Sequence, residues 1–232
     1  MLLLLAGCAL PPNTALRDWA RTASVLADYP AVSAPRGSDP VRDGLLAQQA
    51  ALSVYLYALG VLAVEETSLT FRDDAYAPLA SRAAAADPAA GRAVAEIGGL
   101  LRAARDANLS PDARAYSAGA DRRVQDTRLR PFVAAADPPV QALVAALSAG
   151  LAALPPGAVP GDRQTYLDIL AAIGEGHAML ARRVRHITQQ EVARDLRAQE
   201  DRMRRLAILL PPDAAMAGRD AGGAAVAAVV QP

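Results

Sequence analysis

VRDGLLAQQAALSVYLYALGVLAVE, residues Val41–Glu65, decides the fold. Within it Leu45, Leu52, Leu56, Leu59 and Ala63 recur at helical spacing and form one apolar stripe. Leu46, Ala50, Val54, Tyr57, Val61 and Val64 form a second. A helix with one such stripe lies on a surface, whereas a helix with two is enclosed. The stretch therefore predicts the central buried helix of an all-α, antiparallel helical bundle. Its length also suits a bilayer span. Gln48, Gln49 and Ser53 interrupt it, however, and Arg42 and Asp43 crowd its start, which favours burial in protein.

The flanking helices announce their starts. Asp39-Pro40, Asp87-Pro88, Ser110-Pro111 and Asp137-Pro138 each set a capping side chain before a proline at the first helical position, where its missing N–H costs nothing. Asn13 and Asp162 are cap candidates without the proline. These signals predict helices near 14–28, 40–65, 88–107, 111–130, 138–153 and 163–209, with a short one near 75–86. Pro131 should stop or kink the fourth long helix. No alternating strand pattern or Asn-Gly hairpin competes, and no fixed-period repeat is visible.

The last helix is expected to be long, about 70 Å if unbroken. Leu167, Leu170, Ile173, His177, Leu180, Val184 and Ile187 line its first half, with Gly174 and Gly176 as candidate bends. Its second half keeps a thinner stripe of Val192, Leu196, Met203 and Leu206 among charges spaced for ion pairs at Arg197–Asp201 and Glu200–Arg204. That half either lies along its own bundle or projects to pair with a partner helix. Residues 210–232 are Gly-rich and aperiodic, and a disordered tail is expected there.

Composition narrows the class. The chain has 232 residues, 53% of them hydrophobic and 4% aromatic, which suits one domain with a core that needs no disulfide staple. Every one of the 24 basic residues is arginine, and the formal net charge is zero, so no global field argues for nucleic acid. A single cysteine excludes an internal disulfide and a multi-cysteine metal site.

That cysteine stands in Leu5-Ala6-Gly7-Cys8, after a leucine run. Here the chain resembles bacterial lipoproteins, whose signal peptides end in a lipobox of this form. The resemblance covers only these residues and names no functional family. It implies that residues 1–7 are a signal peptide, that Cys8 receives a diacylglycerol, and that residues 8–13 tether a domain spanning 14–209. The family's sorting habit, with Ala9 after the cysteine, implies the periplasmic face of the outer membrane. Two features depart from the pattern: no basic residue precedes the apolar run, and LLLLA is short for an export signal.

Candidate sites are sparse. Gln48, Gln49, Tyr55, Tyr57 and His177 are polar groups in apolar surroundings. They would line a ligand pocket if the 41–65 and 163–188 helices leave a cleft. Arg122, Arg123, Arg182, Arg183 and Arg185 form a candidate patch for an anionic envelope component or an acidic protein, since arginine forks suit phosphate and carboxylate. His177 and His186 point to different faces of one helix and cannot chelate one metal from it. Glu65-Glu66 and Arg72-Asp73-Asp74 lack the spaced oxygens of a calcium loop. No metal and no cofactor is expected. No nucleophile elbow, phosphate loop or His-Glu-x-x-His occurs. Catalysis would need a carboxylate such as Glu65 or Asp168 beside His177. The expectation is a non-catalytic, lipid-anchored scaffold or binding module of the cell envelope, with a small-molecule-binding bundle as the alternative.

Overall fold

A computed structural model of the chain describes residues 13–29, 39–63, 69–107, 122–155, 162–187, 189–210 and 226–230, with the side chains of 122–128 outside the described set. The described elements are α1 (Thr14–Ala27), α2 (Pro40–Leu62), α3 (Asp73–Ala86), α4 (Pro88–Ala107), α5 (Arg122–Ala153), α6 (Arg163–Arg182), a 3₁₀ turn (Val184–His186) and α7 (Gln190–Ala207). No strand occurs among the described residues, and the all-α bundle expected from the sequence is what forms.

Each helix runs antiparallel to the next. Ser24 and Ser53 exchange hydroxyl-to-carbonyl bonds of 2.9 Å between α1 and α2. Asp43 at the start of α2 meets Arg82 late in α3, and Asp73 at the start of α3 meets Arg102 late in α4. Asp137 and Gln141 of α5 reach His177 and Gly174 of α6 in reversed order. Glu175–Arg202 and Arg183–Asp195 do the same for α6 and α7. α7 then packs against α1 and closes the ring.

The helix α2 is the hub. It touches α1, α3, α4 and α5, and its Tyr55 reaches α6. By length and composition α2 and Leu129–Ala153 could each cross a bilayer, but the apolar window of α2 is 83% buried inside the bundle. Asp39 caps α2 as expected, its carboxylate accepting from the Val41 and Arg42 amides at 3.2 and 3.1 Å. Asp87 and Asp162 likewise accept from Ala89 and Gln164. Asn13 instead adopts a left-handed φ of 65°, and its backbone carbonyl takes the Arg17 amide.

Alanine and glycine set the spacing. At Gly44 a Cβ would lie 2.6 Å from the Ala86 Cβ and 2.8 Å from the Arg82 carbonyl oxygen, so α2 and α3 meet backbone to backbone. Gly60 faces α1 more loosely, where a Cβ would lie 3.3 Å from Arg21 Cγ.

Three expectations are corrected. The predicted stop at Pro131 and restart at Asp137-Pro138 do not occur: α5 runs through Pro131, Pro138 and Pro139 without a break. Pro131 and Pro138 are exposed, so their rings meet solvent, and the Asp137 carboxylate is engaged by His177 and Gln141. The predicted single helix 163–209 is two helices. It breaks at Arg183–Gln189, where the His186 and Gln189 amides switch to carbonyls three residues back. Gly174 and Gly176 are no bends; a Cβ at Gly176 would lie 2.8 Å from the Trp19 ring, so that glycine admits the indole. α7 folds back onto α1 and α6, with Val192, Leu196 and Met203 buried, and does not project. Finally, part of the expected disordered tail is ordered. Residues 226–230 are helical, Val226, Val229 and Val230 are buried, and the Val229 carbonyl accepts from the Arg72 amide at 2.8 Å. Valine periodicity is too short there to register as an amphipathic pattern. Ser110-Pro111 and the start of the expected 111–130 helix lie outside the described residues.

Candidate functional site: a buried tyrosine–histidine–carboxylate chain and an arginine-rich end

Three helices contribute one polar group each to a hydrogen-bonded chain that runs into the interior. Tyr55 Oη of α2 lies 2.6 Å from His177 Nε2 of α6, and His177 Nδ1 lies 2.8 Å from Asp137 Oδ1 of α5. Tyr55 and His177 have no exposed surface, whereas the Asp137 side chain keeps 28% of its own. Phe132 stacks on Tyr55 with ring centroids 5.7 Å apart. The proton positions follow from chemistry. Burial, and then the Asp137 charge, push the Tyr55 phenol well above its ordinary pKa, so it stays protonated and donates to Nε2. Nδ1 then carries the imidazole proton and donates to Asp137. The His177 hydrogen bond, together with Gln141 and the Arg182 charge, holds the Asp137 carboxyl below the usual carboxylate range against the opposing effect of burial.

The carboxylate beside His177 is therefore Asp137 and not Asp168. Glu65 lies outside the described residues, and Asp168 pairs with Gln164 one helical turn away. Asp137 was read as a helix cap, and nothing local to it in the sequence reveals a partner forty residues on. What the arrangement does is tie α2, α5 and α6 together. The imidazole nitrogen that would act as a base already accepts the Tyr55 hydrogen bond, and the phenol beyond it has no exposed surface.

The expected ligand pocket between α2 and α6 is corrected by the same packing. Gln48, Gln49, Tyr55 and His177 are all buried. Gln49 Nε2 donates to the Tyr29 carbonyl at 2.8 Å and to Tyr166 Oη at 2.7 Å, and the Tyr166 hydroxyl in turn donates to the Ala27 carbonyl. Gln49, Tyr55 and His177 thus spend their polar atoms on other parts of the protein. Tyr57 is half-buried on the other side of α2 and does not join them. The described surface instead carries a shallow depression of about 320 Å³ between α5 and α6, lined by Gln141, Val144, Gly174, Glu175, Ala178 and Arg182.

Gln48 is the exception among the four. It is fully buried, and neither its amide nitrogen nor its amide oxygen meets a hydrogen-bond partner. Leaving a buried polar group unpaired costs about 1–3 kcal/mol. Gln48→Leu, of similar volume, is expected to raise unfolding stability by about that amount, read from the urea midpoint. An unchanged or lower midpoint would mean that the amide is solvated in place.

The arginine patch divides. Arg183 pairs with Asp195, with Glu191 at 3.9 Å. Arg182 and Arg185 are exposed and make no ion pair among the described residues. The backbone of α5 begins at Arg122, and its antiparallel pairing with α6 directs that end toward the 3₁₀ turn; the Arg122 and Arg123 side chains lie outside the described set. Glu200–Arg204 forms at 2.6 Å, and Glu200, although buried, also accepts from Thr22 of α1 at 2.9 Å. No group of three or more metal-ligating side chains occurs among the described residues.

Compared with protein-family models, with curated proteins and with solved structures, the chain matches none.

Proposed function

We propose that this chain is a lipid-anchored envelope protein whose helical body works by contact, as a scaffold or binding module. The tether is the diacylglycerol that the Leu5-Ala6-Gly7-Cys8 motif would place on Cys8, and the location is the periplasmic face of the outer membrane. The partner is an envelope protein or an anionic envelope component, with no role for nucleic acid. The observation that carries the reading is the closed histidine chain. The imidazole–carboxylate pair in the body is capped by a buried tyrosine and spent on holding three helices. A protein built this way offers partners its surface.

The anchor is tested by growing the host with a fatty-acid analogue. Wild type is expected to be labelled and to sediment with membranes, and Cys8→Ser to lose both properties. An unlabelled wild type beside a labelled lipoprotein control would remove the anchor from the account.

A further inference from the structure

We propose that the corner formed by the C-terminal end of α6, the 3₁₀ turn and the first two turns of α7 is a lipid-facing surface. On it Arg182, Arg185 and Arg194 engage the phosphates of anionic lipid headgroups. This rests on the lipoprotein reading for the nearness of a bilayer, and on helix register for what faces it.

The register is fixed by side chains. α1 and α6 are antiparallel, because Trp19 packs on Gly176 while the Ala27 carbonyl takes the Tyr166 hydroxyl. The start of α1 therefore lies beside the end of α6. Cys8 precedes Asn13 by five residues, a segment that spans no more than about 18 Å when fully extended. α7 begins at the same end, since Arg183 bonds Asp195 and approaches Glu191. A bilayer holding the acyl chain is thus within reach of this end, and the opposite end is a helix length away.

The charges there are unequal. Among the described residues of this corner, Asp18 is paired with Arg17 and Asp195 with Arg183, while Glu191 stays exposed, 3.9 Å from Arg183. Asp137 is bonded to His177 and Gln141, and feels the Arg182 charge without forming an ion pair with it. His186 meets Gln189. Arg182, Arg185 and Arg194 are exposed and form no ion pair among the described residues. Arginine forks suit phosphate oxygens, and each basic residue near an anionic bilayer strengthens binding about fivefold. A zero net charge overall conceals this, because the corner is positive only locally.

The test uses the full chain as Cys8→Ser, which removes the lipid and leaves the surface. Sedimentation is compared between phosphatidylglycerol–phosphatidylcholine vesicles and vesicles of phosphatidylcholine alone. Binding is expected to the first only, and to disappear in high salt as the screening length shrinks. Combined Arg182→Gln, Arg185→Gln and Arg194→Gln should weaken it on the order of 100-fold, with helix content unchanged. Arg92→Gln, exposed on α4 at the other end, should leave it intact. Equal binding to both vesicle types, no binding to either, or a triple variant as tight as its parent would overturn the assignment. Failure of the acyl labelling would not bear on this measurement, so the anchor and the surface fall separately.

Discussion

His177→Ala is expected to lower unfolding stability by about 3–5 kcal/mol, enough to unfold much of a domain of ordinary stability. Two effects add. A fully buried ring is removed from the meeting point of α2, α5 and α6. In addition the Tyr55 hydroxyl, itself fully buried, loses its acceptor. Tyr55→Phe should cost less, about 1–3 kcal/mol, because it removes one hydroxyl and leaves Nε2 unpaired. The informative variant is Tyr55→Phe combined with His177→Leu. Removing both members of a buried polar pair spares the penalty of an orphan. The double variant should therefore be markedly more stable than the sum of the two single losses. Urea unfolding of the wild type, Tyr55→Phe, His177→Leu and the double variant closes the cycle. Strictly additive losses would show that the 2.6 Å contact contributes nothing.

The second large effect is at Asp28, which ends α1. Burial pushes its carboxyl up to about 7, and the negative end of the helix adds to the cost of ionising it. The sign follows from proton binding. In the unfolded chain this group ionises near its ordinary value of 3.8. Between that value and about 7 the folded state keeps a proton the unfolded state has lost, so stability falls as pH rises through this window and the full cost is present above it. Asp28→Asn keeps the shape and removes the charge. It should add about 2–4 kcal/mol at pH 8, with the lower figure allowing for partial solvation of the site, and close to nothing at pH 4. Denaturant midpoints at the two pH values decide it. An equal gain at both would place the cause elsewhere than in the charge.

The parts of the fold that could be read in the sequence depend on near neighbours. Asp39 with Pro40 declares a helix start because cap and proline act within one turn, and the two stripes of α2 declare burial because their spacing is that of the helix itself. What escaped reading depends on distant partners. Asp137 carries a cap signature as strong as that of Asp39, yet His177 draws its carboxylate away and α5 continues through it. Gly174 and Gly176 look like breaks, but Gly176 is small so that Trp19 can approach. The real break, at Arg183–Gln189, has neither glycine nor proline to mark it. Among the site residues, the polar set on α2 and α6 was recognisable as needing partners. Which partners it found, and that they close the space, is a property of packing.

The ring closure of α1 by α7 bears on how the chain is made. Thr22 and Glu200 bond across a separation of 178 residues, so the apolar side of α1 leaves the ribosome long before its cover exists. Contacts this remote in sequence slow folding and leave greasy surface exposed in the interval. If the proposed lipoprotein signal sends the chain to export, that delay is useful, because a body that cannot lock until α7 arrives would still be unlocked when it is threaded through a translocation channel.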